Sequence, residues 1–410
     1  MKVCGIIMEC SPLHNGHAYL IDEAKKRTGA DHVVVVMSGD FTQRGIPAVI
    51  DSHSRAEALL SCGVDLVLEL PVYFATSAAG YFARGGVSLL SHLGVVTDLA
   101  FGSECGDLDK LRSYSELLSS EDSSFGIELR KCIRSGLSFP AARNKALGGF
   151  LPDLPNDVLG AEYLRWIAES CSQIRPCAIK RTECSHASDI RSEIDKNSCA
   201  LESIKSYLGK TCPSRMTELL LSALGVSAPV TADDLSAPLY YYLMNPGPDG
   251  ALSSSDYNDQ LSAFFGVGTD LSRRIMNDRS TYMSFSERCS RLKSRNMTWT
   301  AVSRALLHIT LGMTKERFES YMNAGLTGYA RVLGFRKDSA PLLTAIKVNA
   351  DIPLITSVSK AAAVLDPVFK DMLNEEVRCS FIYDSIAAQK FSSGFPRTVR
   401  SEYEKELVII

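Results

Sequence analysis

The sequence predicts an α/β fold: a mostly parallel sheet with helices on its faces, followed by a mainly helical C-terminal region. Three observations predict it. Short apolar runs alternate with amphipathic segments over about the first hundred residues, the pattern of strands joined by crossover helices. Those runs are dense in Val, Ile and Leu, as strands covered on both faces are. Beyond about residue 195 the alternation stops and longer helical patterns take over.

Val3–Met8 reads as the first buried strand. A helix follows over 18–28, closed by Gly29, a residue suited to a left-handed helix stop. Residues 32–37 hold four consecutive valines and read as the second strand. A helix over 52–62, capped by Asp51 or Ser52, leads to a third strand over 64–70 that Pro71 ends. A helix rich in Ala and aromatics spans 74–93, and a fourth strand spans 97–101. Residues 108–170 read as a mostly helical insertion, and 174–180 as a fifth strand. Segments 214–225, 256–265, 301–312 and 315–324 read as helices, with a loop marked by Pro246-Gly247-Pro248 and Ser253-Ser254-Ser255 between the first two. The expected division is 1–195 and 196–410.

The chain has 410 residues, a net charge of −3 and 12 cysteines, with no C-x-x-C pair and no zinc-finger spacing of Cys and His. No global positive field announces a nucleic-acid binder, and no apolar stretch reaches the ~20 residues that span a bilayer. The expectation is a cytoplasmic chain with reduced, mostly buried thiols, no membrane partner and no resident metal site.

The most informative motif is His14-Asn15-Gly16-His17, between the first strand and the first helix. Pro12 fixes one backbone dihedral of the loop, and Gly16 lets another surface approach the backbone closely. The helix start offers unpaired N–H groups and a positive dipole end to an anion, and imidazoles donate hydrogen bonds to phosphate oxygens. Ligands of parallel sheets bind beyond the carboxyl ends of the strands. The loops 38–45 and 101–104 emerge at that end.

Arg44 is suited to a phosphate or carboxylate there, or to a salt bridge with Asp51. Arg181, at the end of the fifth strand, either reaches the phosphates or is a solvated charge. Asn156 either fixes a base or ribose or caps a helix. Residues 288–304 hold Arg288, Arg291, Lys293, Arg295 and Arg304 around Trp299 with no acid among them, the make-up of a nucleic-acid contact or of a solvated face.

Several longer motifs extend this reading. Gly5 to His17 resembles the opening of the bacterial tRNA(Met) cytidine acetate ligases, which ends E-Y-N-P-F-H-N-G-H. Met37-Ser38-Gly39-Asp40-Phe41-Thr42-Gln43-Arg44-Gly45 is similar to their M-S-G-N-F-x-Q-R-G. The runs 64–71, 101–104, Lys293 to Thr298 and Arg331-Val332-Leu333-Gly334-Phe335 match in the same order. The resemblance implies a Rossmann-like nucleotidyltransferase fold with a tRNA-binding C-terminal region. It implies that ATP activates acetate as acetyl-adenylate, with Mg2+ expected, and that acetyl passes to N4 of the wobble cytidine of elongator tRNA(Met). His14 and His17 would be catalytic. ATP would be held by Ile7, Met8, Glu9, Pro12, His14, Asn15, Gly16, His17 and Leu20, with Gly102, Asn156 and Arg181. Asp40 and Arg44 would lie at the acetate pocket, and Arg291, Lys293, Arg295, Trp299 and Arg304 would meet tRNA.

This chain departs from the family pattern at Cys10-Ser11, where Tyr-Asn is usual, at Asp40 for Asn, at His186 to Asp189, and at Asn296-Met297. Asp40 would repel both ATP and acetate unless it is paired or protonated. Two other readings stand beside the ligase: an adenylyltransferase for a small acceptor, and a tRNA-binding protein with a silent nucleotide site.

Overall fold

The computed structural model describes residues 1–119, 124–135, 137, 142, 145–146, 154–170, 172–182, 186–197, 201–244, 254–361, 363–392, 398–399 and 401–410. The proline-marked part of the loop over 246–253 lies outside the described residues. Among the described residues eight strands form one sheet: β1 (Val3–Met8), β2 (His32–Ser38), β3 (Leu66–Leu70), β4 (Asp98–Ser103), β5 (Arg175–Lys180), β6 (Ala330–Phe335), β7 (Leu354–Ile355) and β8 (Val408–Ile409). Their order is β5-β4-β1-β2-β3-β6-β7, with β8 also paired to β6. Every pairing is parallel except β3 with β6.

The first five strands lie where the apolar runs put them, because each is buried on both faces. Val3 and Ile7 enter one core cluster, while Cys4, Ile6 and Met8 enter the other, as the two-residue period of a strand requires. Helix Asn15–Thr28 covers the second face through Ile21 and Ala24 and ends at left-handed Gly29. The helix expected over 74–93 is two, Val72–Ala75 and Ala79–His92. Thr76 Oγ1 and Ser77 Oγ donate back to the carbonyls of Val72 and Tyr73, at 2.8 and 2.5 Å, and Ala78 is extended. Such back-bonding offers the backbone an alternative to the helical ladder. Among the described residues, no helix is long and apolar enough to cross a membrane.

The region read as mainly helical also contributes strands. β6 lies antiparallel to β3, with Glu69 opposite Arg331. Arg331 is 4% exposed and is paired with Glu69 at 2.5 Å and with Glu402. The long helix Pro367–Phe391 packs nearby and brings Glu376 within 3.8 Å of the same guanidinium.

A second junction ties the two halves of the chain. Gly45 has φ +75°, and a Cβ there would stand 2.3 Å from the Arg304 nitrogen and 2.6 Å from the Ser303 carbonyl carbon. Ser303 Oγ donates to the Gly45 carbonyl at 2.9 Å. The helix Trp299–Thr310 is thereby seated backbone-to-backbone on the loop after β2. Gly45→Ala combines a left-handed alanine with overpacking, and each such fault costs roughly 1–3 kcal/mol. The expected result is a lower urea midpoint with an unchanged denaturant slope.

Candidate active site

The site begins where β1 ends and helix Asn15–Thr28 starts. His14 is the N-cap residue, and its ring accepts the Gly16 N–H at 3.0 Å through Nδ1. His17, one turn in, accepts the His14 N–H at 3.3 Å, also through Nδ1. The two imidazoles thus close a reciprocal capping box usually made by Ser or Thr with Glu. Their rings stack with centroids 3.8 Å apart.

These bonds determine the protonation of both rings. A backbone N–H can only donate, so each Nδ1 is an unprotonated acceptor and each neutral ring carries its proton on Nε2. Burial, with the positive charge of Arg181, His186 and Arg191 behind it, pushes His14 down from its ordinary 6.5 to about 4. Burial, then His14 and Arg181, hold His17 well below its ordinary value. At neutral pH the pair therefore offers two oriented N–H donors and no charge.

Facing them is an open cleft lined by His14, Gly16, His17, Tyr19, Leu20, Gly102, Ile179, Lys180, Arg181 and Thr182. Arg181 follows β5, donates its own N–H to the Ser103 carbonyl at 2.9 Å and lays its side chain beside Gly102. A Cβ at Gly102 would meet the Arg181 side chain at an ordinary 3.5 Å, so the glycine keeps cleft volume open rather than relieving a clash. Among the described residues no carboxylate is ion-paired with Arg181. Ile7 and Met8 are buried in the core, and the Asn15 amide donates to the Lys210 carbonyl at 2.9 Å. Leu20 lines the cleft; Pro12 follows a cis peptide bond.

Asn156 is in the first turn of helix Pro155–Glu169 and is not its N-cap, which is Leu154. Its amide donates to Glu104 Oε1 at 2.5 Å, and Glu104 Oε2 accepts the Asp157 N–H at 2.9 Å. Asp157 in turn accepts from Ser103 Oγ and from the Glu104 N–H. This two-way clamp fixes the loop after β4 against the helix. Glu104 and Asp157 went unassigned in the sequence because their partners are about 50 residues away.

The loop after β2 contributes on the other side. Arg44 is exposed and lies near Arg191, whose guanidinium donates to the Ser11 carbonyl at 2.6 Å. Arg44 has no salt bridge to Asp51, which instead caps helix Ser52–Ser61. Arg191 was missed, since only folding brings its helix against the His14 loop. Asp40 is 4% exposed and does not line the cleft. Its Oδ1 accepts the Ser52 N–H at 2.7 Å and lies 3.9 Å from Arg55, while Oδ2 accepts from Ser380 of helix Pro367–Phe391. An acid is stable here because two donors and a cation surround it.

The basic stretch divides into separate roles. Arg288 is 1% exposed and bound to Asp278 at 3.2 Å; Arg291 is exposed but also reaches Asp278, at 2.6 Å. Trp299 is half-buried against the core. Arg304 turns inward and donates to the Gln43 carbonyl at 3.3 Å. Lys293 and Arg295 are exposed.

Comparison with known proteins agrees with this geometry. The family model described as HIGH Nucleotidyl Transferase matches residues 1–395. The tRNA(Met) cytidine acetate ligase of Acetivibrio thermocellus is 34% identical over 93% of this chain and 94% of its own length. That of Clostridium novyi is 32% identical over 94% and 96%. The crystal structure of Thermotoga maritima TmcAL bound with alpha-thio ATP superposes with a TM-score of 0.88 at 28% identity, covering all of both chains. The chain belongs to the HIGH nucleotidyl transferase family and, within it, to the group of the tRNA(Met) cytidine acetate ligases.

Two predictions arise from the site. His14 takes up its proton at about 4 when folded and at its ordinary 6.5 when unfolded. Its contribution to stability is therefore complete above pH 6.5 and is lost as pH falls toward 4, and His14→Asn should flatten that part of the stability–pH curve measured by chemical denaturation. Asp40→Ala leaves the Ser52 N–H without its acceptor, while the Ser380 hydroxyl keeps Glu402; a loss of about 1–3 kcal/mol is expected for one unsatisfied buried group, read as a lower thermal midpoint.

Proposed function

We propose that the chain uses ATP to activate acetate as acetyl-adenylate and transfers the acetyl group to N4 of the wobble cytidine of elongator tRNA(Met). The observation that carries this reading is the stacked pair of neutral imidazoles that line one cleft with Arg181, at the start of the first helix. Membership of the family adds the acid and the RNA, through the names of its relatives.

In the first step an acetate oxygen attacks the α-phosphorus, and the bond to the pyrophosphate oxygen breaks. Negative charge grows on the α-phosphoryl oxygens and on the leaving group. His14 and His17 donate to it, the positive end of the helix dipole faces it, and Arg181 neutralises it. No protein nucleophile is needed, because acetate itself attacks. Among the described residues no three His, Cys, Asp or Glu side chains converge on a metal site. A Mg2+ ion would arrive with ATP and take its ligands from phosphate and water, supplying charge neutralisation there. The protein has then to keep water from the mixed anhydride until the amine arrives.

The acceptor RNA would be held by exposed cations of the C-terminal half, of which Lys293 and Arg295 are the freest of the basic stretch. Their change to Ala together is expected to weaken tRNA binding and to make its salt dependence shallower by about two phosphate contacts. An unchanged slope would make the stretch a solvated face.

Acetate-dependent ATP–pyrophosphate exchange tests the function itself. Exchange is expected with acetate, and His17→Ala is expected to lower it by roughly 10²–10³-fold, the scale for one preorganised donor. Exchange with another acceptor alone would favour a small-molecule adenylyltransferase, and no exchange would favour a silent binding protein.

A further inference from the structure

Glu9 sits directly after β1 and is bound to the loop that follows β2. The parallel register pairs Met8 with Met37, so Glu9 comes alongside Ser38 and on the side of the sheet that Ile7 faces. Its Oε1 accepts the Gln43 N–H at 2.5 Å. Its charge is felt by Arg191 and Arg304, yet among the described residues no cation pairs with its carboxylate. Among the described residues its second oxygen has no hydrogen-bond partner.

The surroundings of Glu9 are polar and unfilled. Ser38 Oγ, Gln43 Nε2 and Tyr163 Oη are buried and have no hydrogen-bond partner. Ser38 is 0% exposed and Tyr163 1%. Burial and then the charge of Glu9 push the Tyr163 phenol up, which places it near the carboxylate. Buried polar groups without protein partners call for water or a ligand. A carboxylate repels the phosphates of ATP, so binding phosphate through its side chain is not a task that accounts for it.

The second half-reaction does give it a task. The exocyclic amine of cytosine is a poor nucleophile, since its lone pair is delocalised into the ring, and it must shed a proton as it bonds to carbon. A carboxylate accepts a hydrogen bond from that N4 amine and can take its proton. We infer that Glu9 is the general base of acetyl transfer, an inference that rests on the ligase reading above. The N4 electron pair forms the bond to the acetyl carbonyl carbon. The bond from that carbon to the phosphate oxygen breaks, AMP leaves with the electron pair, and the N4 proton goes to Glu9. Its acceptor bond with Gln43 holds the carboxylate for this purpose on the loop seated against Arg304.

Glu9→Gln keeps an oxygen for the Gln43 N–H and removes the basicity. Wild-type and variant enzymes are loaded with ATP and labelled acetate, then chased in single turnover with elongator tRNA(Met) or with hydroxylamine, which needs no base. Transfer to tRNA is expected to fall by about 10²–10⁴-fold, the range for losing a general base. Acetyl hydroxamate, drawn from the same adenylate, is the adenylation control: the loss of transfer to tRNA is expected to exceed any loss of hydroxamate, and Glu9→Asp to recover part of that excess. Unchanged transfer to tRNA, or equal losses with both acceptors, would overturn the role of Glu9. A wild-type enzyme that yields no hydroxamate would overturn the ligase reading and this inference with it.

Discussion

Two backbone N–H groups donating to two imidazole nitrogens set the terms for the rest of the site. The Gly16 and His14 amides would otherwise be orphans of a helix start. By accepting them, His14 and His17 begin the helix, lock their own rings and leave their protons on the outward nitrogens. A serine–glutamate box would cap as well but would set an acid before the phosphates. The imidazole version caps without adding negative charge, and burial keeps both rings neutral. Positive charge is delegated to Arg181, just after β5, where among the described residues no carboxylate is ion-paired with it.

The second constraint is the seating of the C-terminal half on the loop after β2. Three contacts act together: the close approach of Gly45 to Arg304, the reach of Asp40 to Ser380, and Arg331 among Glu69, Glu376 and Glu402. A buried cluster of this kind is weak evidence for net stability, since desolvation offsets much of the attraction. Its charges do demand one arrangement, because losing a partner leaves another charge buried and unpaired. Burial pushes Glu69 up to about 7 despite Arg331, while Arg331 and Lys405 hold Glu402 down to about 2 against its own burial. The loop that bears Gln43, and with it the anchor of Glu9, inherits its position from this packing.

Local features were legible in the sequence and distant ones were not. β1, β2 and the His14-Asn15-Gly16-His17 turn could be read because a valine run and a loop motif carry their own signal. Arg181 could be placed at the cleft because it ends a strand next to β4. β6 carried no such signal: it is a six-residue strand with a charge inside it, and only pairing to β3 makes Arg331 tolerable there. The same holds for Arg191 and Glu104, whose partners are remote in the chain. The basic run 288–304 looked uniform as a string, yet two separate helices turn Arg288 and Arg304 inward, and the turn between them leaves Lys293 and Arg295 exposed. The family resemblance supplied the order of the motifs, and the fold supplied which side chains meet.

Nitrogen-15 NMR of the histidine side chains tests the central claim most directly, because it reports tautomer and charge at each ring. At pH 7, His14 and His17 are both predicted to be neutral, with an unprotonated Nδ1 and a proton on Nε2, and the two Nε2–H signals should shift together when a non-hydrolysable ATP analogue is added. An imidazolium at either position, or a proton on Nδ1, would contradict the account.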